Sequence, residues 1–390
     1  MRLLSLPEDV LLLILSLLEK HDLAAVARCC HRFRSLSAFD CVWRSHARAA
    51  LHAPFRSGGL PLKECVRISR NWQAGRCSQH NLLGWRDILL PWLLLHADRL
   101  YISQASDVVS YGLRQDGLFA RRPLAIHRSP SNPTSHRGVP KPFPDVCRFL
   151  VFDNEAVIAG CSDGTLRMHG PSGKLRALVQ VHDQEISSLD ARPGVLLSGS
   201  RDHTAKVWSL AKDAVGECLL TVPVGDRVWS VGFNPNMSSF VTGSACLQDR
   251  SPLKVWDLER GDMMGILGVG FQHGASVMGL MYESHATLLS WGHDTYIRLW
   301  DTRVSMRQCV QRWEEPHDSA LYCVQSDRNN LLVSGSAYYG VVRLWDKRQT
   351  RCLHMFSLSS PVSSPVYSLA LGTAHLYAAI ARYVILLDFK

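Results

Sequence analysis

The chain has 390 residues, of which 46% are hydrophobic and 20% charged. That length exceeds one ordinary domain of ~100–200 residues, and that apolar content excludes a wholly disordered chain. The net charge is +9, and thirteen basic against seven acidic residues up to Leu90 place most of the excess in the N-terminal part.

The first 75 residues carry apolar residues at helical spacing. Leu6, Val10, Ile14, Leu17 and Leu18 recur at intervals of three and four, the spacing of one helix face. Pro7 suits a first helical turn, where its missing N–H would be unpaired anyway. Asp22 is placed to cap a second run through Leu23, Val26, Ala27 and Cys30, and Phe33, Leu36, Phe39, Val42 and Trp43 carry a third. Three short packed helices are expected. The apolar stretch 10–18 follows Glu8 and Asp9 and lacks a small-residue cleavage site, unlike a signal peptide. Nine residues also fall well short of the ~20 a helix needs to cross a bilayer, so no membrane partner is expected. The basic excess comes with no nucleic-acid-binding motif. No nucleic-acid partner is expected either, and a solvated helical face or an acidic protein fits better.

From about residue 93 the texture changes to short Val-, Ile-, Leu- and Tyr-rich runs between Gly, Ser, Asp and Asn turns, which reads as all-β. A repeat lies within it. Segments ending at Trp208, Trp256, Trp300 and Trp345 share a Ser/Thr-Gly-Ser or Ser-Trp-Gly start and a basic residue two before the Trp; the Trp spacings are 48, 44 and 45 residues. Weaker copies put Tyr111, His169 and Leu387 in the tryptophan position, making seven units. A period of ~40–45 residues with Trp-Asp endings marks four-stranded propeller blades. The last unit stops after its third strand, so the segment 77–85 is expected to supply its fourth. Residues 128–144, basic and rich in Pro and Ser, read as an insertion between strands.

No GxSxG, Walker loop or HExxH is found, so no catalytic residue is expected. The twelve cysteines show no zinc-ligand spacing and fit reduced thiols, hence cytoplasm or nucleus. The seventeen histidines include several at the repeat period, so neither metal nor cofactor is expected.

The repeats resemble the WD-repeat propellers. The segment Leu6-Pro7-Glu8-Asp9, Ile14, Leu17, Leu18, Asp22-Leu23, Val26, Cys29-Cys30, Phe33, Leu36 and Trp43 resembles an F-box. Together, with a spacer between, they resemble the F-box/WD-repeat family. The resemblance implies an F-box domain at 1–47, a helical spacer at 48–76 and a seven-bladed all-β WD-repeat propeller at 77–390. It implies a non-catalytic substrate receptor of a ubiquitin ligase, joined to a Skp adaptor and a cullin-RING scaffold and holding a protein substrate, phosphorylated where an arginine fork meets it. A WD-repeat scaffold without a ligase link is the alternative.

Site residues follow from that resemblance. The adaptor face would include Leu6, Pro7, Val10, Ile14, Leu18 and Trp43. The blade network of a His, a Ser or Thr, an Asp and the Trp would be His182, Ser198, Asp202 and Trp208 in blade three, and His273, Ser290, Asp294 and Trp300 in blade five. Blade six offers His317, Ser334 and Trp345, and blade four has Asp226 where the His belongs. Lys206, Lys254, Arg298 and Arg343, each two before a Trp, are periodic and read as architecture. The substrate rim would hold Arg201, Arg227, Trp229, Met278, His293, Tyr322, Tyr338, Tyr339 and Tyr367, because arginine forks suit phosphate and aromatics give rigid contact area.

Overall fold

The computed structural model describes residues 3–390 apart from 53–59, 115, 120–121, 130–144, 153, 212–215, 249, 318 and 359–362. All but the first two residues of the Pro/Ser-rich stretch 128–144 thus lie outside the described residues. A short 3-10 turn, Leu3–Ser5, leads into α1 (Glu8–Ser16), α2 (Lys20–Cys29), α3 (His31–Leu36), α4 (Asp40–Ala49) and α5 (Leu62–Ala74). Four helices, not three, fill the first 49 residues, because the third apolar run breaks at Ser37–Phe39 into α3 and α4. The cap of α2 is Glu19, with Asp22 inside the first turn. There its carboxylate faces the positive end of the helix dipole rather than satisfying a cap.

The helices bury Leu11, Leu15, Leu23, Leu36, Val42, Trp43, Ala47 and Ala50 in one core, which Val66 of α5 completes. Helix α5 ends on Gly75 at φ +65°. A side chain there would stand 2.7 Å from the His354 ring, so the left-handed turn and the close approach both call for glycine.

Seven four-stranded antiparallel sheets follow. Blade one is β2 (Leu93–His96) to β5 (Ala125–His127), blade two β6 (Val146–Val151) to β9 (Leu175–Gln180), and blade three β10 (Ile186–Arg192) to β13 (Cys218–Pro223). Blade four is β14 (Val228–Phe233) to β17 (Met263–Ile266), blade five β18 (Val277–Tyr282) to β21 (Gln311–Glu314), and blade six β22 (Leu321–Ser326) to β25 (Cys352–Ser357). Blade seven runs β26 (Val366–Leu371), β27 (His375–Ile380), β28 (Tyr383–Asp388), and then β1 (Ser78–Gly84) from the start of the ring. The β1–β28 pair, with Ser78 opposite Asp388 and Gly84 opposite Tyr383, closes the circle as the sequence leads one to expect. Closure removes an open edge that would invite aggregation.

All seven repeat positions fall at matching places in the third strands. Tyr111, His169, Trp208, Trp256, Trp300, Trp345 and Leu387 face Leu100, Val157, Leu196, Phe240, Leu288, Leu332 and Leu376 of the second strands. In blades two, three and five the turn between those strands uses a left-handed residue, Gly164, His203 and Thr295.

The helices rest on blades six and seven. Arg348 Nη1 donates to the Ala49 carbonyl oxygen at 3.0 Å, and Asn330 Nδ2 donates to that of Ala50 at 3.0 Å. His52, buried, sits 2.9 Å from the Asp327 carboxylate and 3.1 Å from the Gly372 carbonyl oxygen. The Trp72 ring stacks on Phe389 at 3.6 Å, and its Nε1 donates to the Thr373 carbonyl oxygen. Leu51, Ile68 and Trp72 therefore share a core with the strands of blades six and seven.

Candidate functional site

Blade three contains the full hydrogen-bonded chain expected of it. Trp208 Nε1 donates to Ser198 Oγ at 2.8 Å, Ser198 Oγ lies 2.7 Å from His182 Nε2, and His182 Nδ1 lies 2.8 Å from Asp202. The carboxylate can only accept, so Nδ1 carries the proton there and Nε2 accepts from the serine. Thr204 Oγ1 also donates to Asp202 at 2.7 Å. Burial works to raise the Asp202 carboxyl, but the hydrogen bonds from His182 and Thr204 outweigh it and hold it well below the usual carboxylate range.

Blade five corrects the expectation. Trp300 Nε1 donates to Ser290 Oγ at 2.8 Å, but His273 is exposed and outside the network. The approach to β18 passes Gly268, Gly270 and Gly274, all at positive φ, and Phe271 takes the buried place with its ring 6.4 Å from Trp300. Asp294 pairs instead with Arg298 at 2.6 Å, and Arg298 lies over the Phe271 and Tyr296 rings. Blade six departs likewise. Trp345 bonds Ser334, His317 is exposed, and buried Glu315 pairs with Arg343 at 2.7 Å. In blade four Trp256 bonds Thr242, and Asp226 accepts from the Leu247 and Gln248 backbone N–H groups. Lys206 and Lys254 each donate to a carbonyl oxygen, of Val181 and Val224. The residue two before each Trp is thus built into its blade, as its periodicity implies.

The first strand of blades two to seven carries a register shift at its start. The residue it bulges out in blades four to seven is Trp229, Met278, Tyr322 and Tyr367. A bulge leaves one residue unpaired and re-aims its side chain, which is why this position rings the opening. Trp229, Met278 and Tyr322 line a central cavity of 410 Å³. The Tyr322 ring stands 6.0 Å from Tyr367 and 6.5 Å from His293. His293 is also hydrogen-bonded to Ser276 Oγ through Nδ1. Tyr338 and Tyr339 are exposed beside each other, 59% and 62%, with Tyr339 at φ +62°. Burial, and to a lesser degree Tyr338, raises the Tyr322 phenol.

The two arginines do not meet. Arg201 lies 4.8 Å over the Trp229 ring and 3.1 Å from Glu185. Arg227 is exposed on the β13–β14 loop, with no side-chain partner among the described residues. They form no paired fork, because Arg201 is drawn toward Glu185 at the start of its own blade. Sequence reasoning missed two channel residues, Trp92 and Arg148, whose guanidinium lies 4.0 Å over the Trp92 ring. Both belong to the weak blades one and two, where no Trp marks the repeat.

At the other end, α1 turns Leu11 and Leu15 inward and leaves Pro7, Val10, Leu13, Ile14 and Leu17 exposed. Leu13 and Leu17, 64% and 80% exposed, are more open than the residues named from the sequence. Their i, i+4 spacing is visible in the sequence, but which face the bundle covers is not. Leu6 and Leu18 are half-buried against the helical core. Trp43 is not on this face: it is buried, and its Nε1 donates to the Ser37 carbonyl oxygen at 2.7 Å. No cluster of His, Cys, Asp or Glu among the described residues could hold a metal, and no described helix is long and apolar enough to cross a membrane.

A helical F-box followed by a closed seven-bladed propeller defines an F-box/WD-repeat protein. Residues 3–49 match the F-box-like family, and residues 173–209 and 307–346 match the WD domain, G-beta repeat. The chain is 47% identical to the human F-box/WD repeat-containing protein 4 over 99% of its own length and 92% of the relative's, and 46% identical to the mouse protein. A Ribosome biogenesis protein WDR12 homolog of Drosophila mojavensis is 28% identical over 49% of this chain. The chain belongs to the F-box/WD-repeat family.

Proposed function

We propose that the protein is a non-catalytic substrate receptor of a Skp-cullin-F-box ubiquitin ligase, working in the cytoplasm or nucleus. The observation that carries this is the exposed apolar strip of α1, Pro7, Val10, Leu13, Ile14 and Leu17, within the F-box-like segment. An apolar patch of this kind on a charged helical domain calls for a protein to cover it. The rim of Arg201, Arg227, Trp229, His293, Tyr322, Tyr338 and Tyr367 is the surface for a protein substrate, and a phosphorylated one would find Arg227 unengaged. The helical part and the rim lie on opposite faces of the propeller. The helices touch turns between first and second strands, at Asp327 and Gly372, whereas Arg201, His293 and Tyr338 sit in turns between second and third.

Capture of the Skp adaptor and cullin by Pro7→Ala with Ile14→Asp tests the reading. A carboxylate buried without a partner costs several kcal/mol, enough to remove most of a micromolar contact of ~8 kcal/mol. Loss of capture with an unchanged melting temperature is expected. A folded double mutant that still recovers adaptor and cullin would leave a scaffold role.

A further inference from the structure

The central cavity holds a cation that nothing in the blades neutralises. Arg148 is the residue just past the bulge of β6, and its Nη1 donates to the neighbouring Cys147 carbonyl oxygen at 2.8 Å. Nε and Nη2 have no acceptor among the described residues, and no described carboxylate forms an ion pair with the guanidinium. Of the nearby arginines, Arg192 pairs with Asp190 at 3.0 Å and Arg201 with Glu185, while Arg328 lines the far end of the cavity. The Arg148 guanidinium lies over the Trp92 ring at 4.0 Å, and both line the 410 Å³ cavity with Trp229, Tyr322 and Trp291. Arg148 is half-buried, and burial lowers its pKa from the ordinary arginine value. A half-buried fork with two idle donors, backed by an indole, is set to bind a planar anion through paired hydrogen bonds.

The charge around it limits which anion. Asp190 lines the same cavity, and Glu185 stands at its rim within electrostatic reach of Arg148. Arg192 offsets Asp190 and Arg201 offsets Glu185, and the cavity's remaining cation, Arg328, lies in the turn after β22 on the face against the helices, so the end of the channel at Arg148 carries one net positive charge. A carboxylate would match that one charge, whereas a dianionic phosphate would exceed it.

The geometry points to a carboxylate-reading site in the propeller channel, in which Arg148, backed by Trp92, takes one carboxylate of a peptide entering past Trp229 and Tyr322. The carboxylate comes from a free C-terminus or from a Glu or Asp side chain. This rests on the receptor reading only in that the propeller holds a peptide; it needs no adaptor, so failure of adaptor capture leaves it standing.

The test uses the full chain and heptapeptides randomised over residues other than Asp and Glu, in four forms: free C-terminal carboxylate, neutral C-terminal amide, amide with a fixed Glu, and amide with a fixed phosphoserine. Peptides bearing a carboxylate are expected to be retained and the neutral amides not. A free terminus exceeding Glu by tenfold names the terminus as the source; equal retention of the Glu form names the side chain. Arg148→Met should weaken the retained peptides at least tenfold, and Arg148→Lys, which keeps the charge without the fork, should fall between. The melting temperature of Arg148→Met should stay level or rise, because it removes a half-buried charge with no carboxylate partner and keeps the apolar stem. Retention of phosphoserine above Glu, failure of every carboxylate form, or unchanged binding by Arg148→Met overturns the site. Should Arg148→Met not fold, the comparison of the four peptide forms on the parent chain still decides.

Discussion

At the scale of single residues, the blades show what a repeat position is for. Trp208, Trp256, Trp300 and Trp345 each donate to a serine or threonine one strand away. Among the described residues, only in blade three does that bond run on through a histidine to an aspartate. A buried chain of this kind stabilises when every member is satisfied, and losing one member strands the rest. His182→Ala should therefore lower stability by ~1–3 kcal/mol, whereas His273→Ala, exposed and outside the network, should stay within ~0.5 kcal/mol. Chemical denaturation of the two variants measures the difference, and equal effects would place His273 back in the blade. Trp208→Ala and Trp300→Ala should each cost ~3–5 kcal/mol through the cavity they leave. Asp202 adds a pH dependence of known sign. Its folded carboxyl is held below the unfolded value of ~3.9. Its contribution is complete above that value and lost as pH falls toward the folded one. Asp202→Asn should be less stable than the parent near neutrality and should lose less on acidification below about pH 4; melting curves against pH read it.

At the scale of elements, closure of the ring depends on two segments about 300 residues apart in sequence, β1 and β28. Removing 77–84, or ending the chain before Tyr383, should abolish cooperative melting rather than trim one blade, because either cut reopens an edge beside the blade-seven core. Calorimetry is the measure, and a truncated chain that melts like the parent would show that the closing strand is dispensable. This closure was legible from the sequence, since counting strands leaves the last unit one short. The blade count was legible too: the register of Tyr111, His169 and Leu387 matches that of the tryptophans even without the indole. His273 was not legible. It stands four residues before β18, as His182 stands four before β10, so spacing alone treats them alike. What separates them is backbone: three positive-φ glycines around Phe271 turn the segment and give the buried place to the phenylalanine. Trp43 misled for a related reason. Amphipathic spacing defines a face of α4 but not whether the partner covering it lies within the chain or outside it.

At the scale of the whole molecule, α5 decides whether the two ends act as one body. Its residues belong to two cores at once: Val66 packs into the helical core with Leu36 and Trp43, while Ile68 and Trp72 pack among the strands of blades six and seven. Asn71 Nδ2 and Trp72 Nε1 add bonds to the carbonyl oxygens of Phe389 and Thr373. A helix shared in this way cannot leave one core without disturbing the other, so the F-box and propeller should unfold in one transition. That arrangement also fixes the distance and direction between the α1 strip and the rim, as the proposed receptor role requires if substrate is to be presented in one orientation. The consequence is measurable with two truncations in α5. Val66→Ala touches only the helical core and Trp72→Ala only the propeller core, and each should cost about 1–5 kcal/mol, the tryptophan more. In a single cooperative body both variants shift the same calorimetric peak, by amounts that differ but with no second peak emerging. Independent bodies behave otherwise: Val66→Ala would split off an early transition while the propeller peak stayed in place, and the coupling through α5 would then be too weak to hold the two surfaces in register.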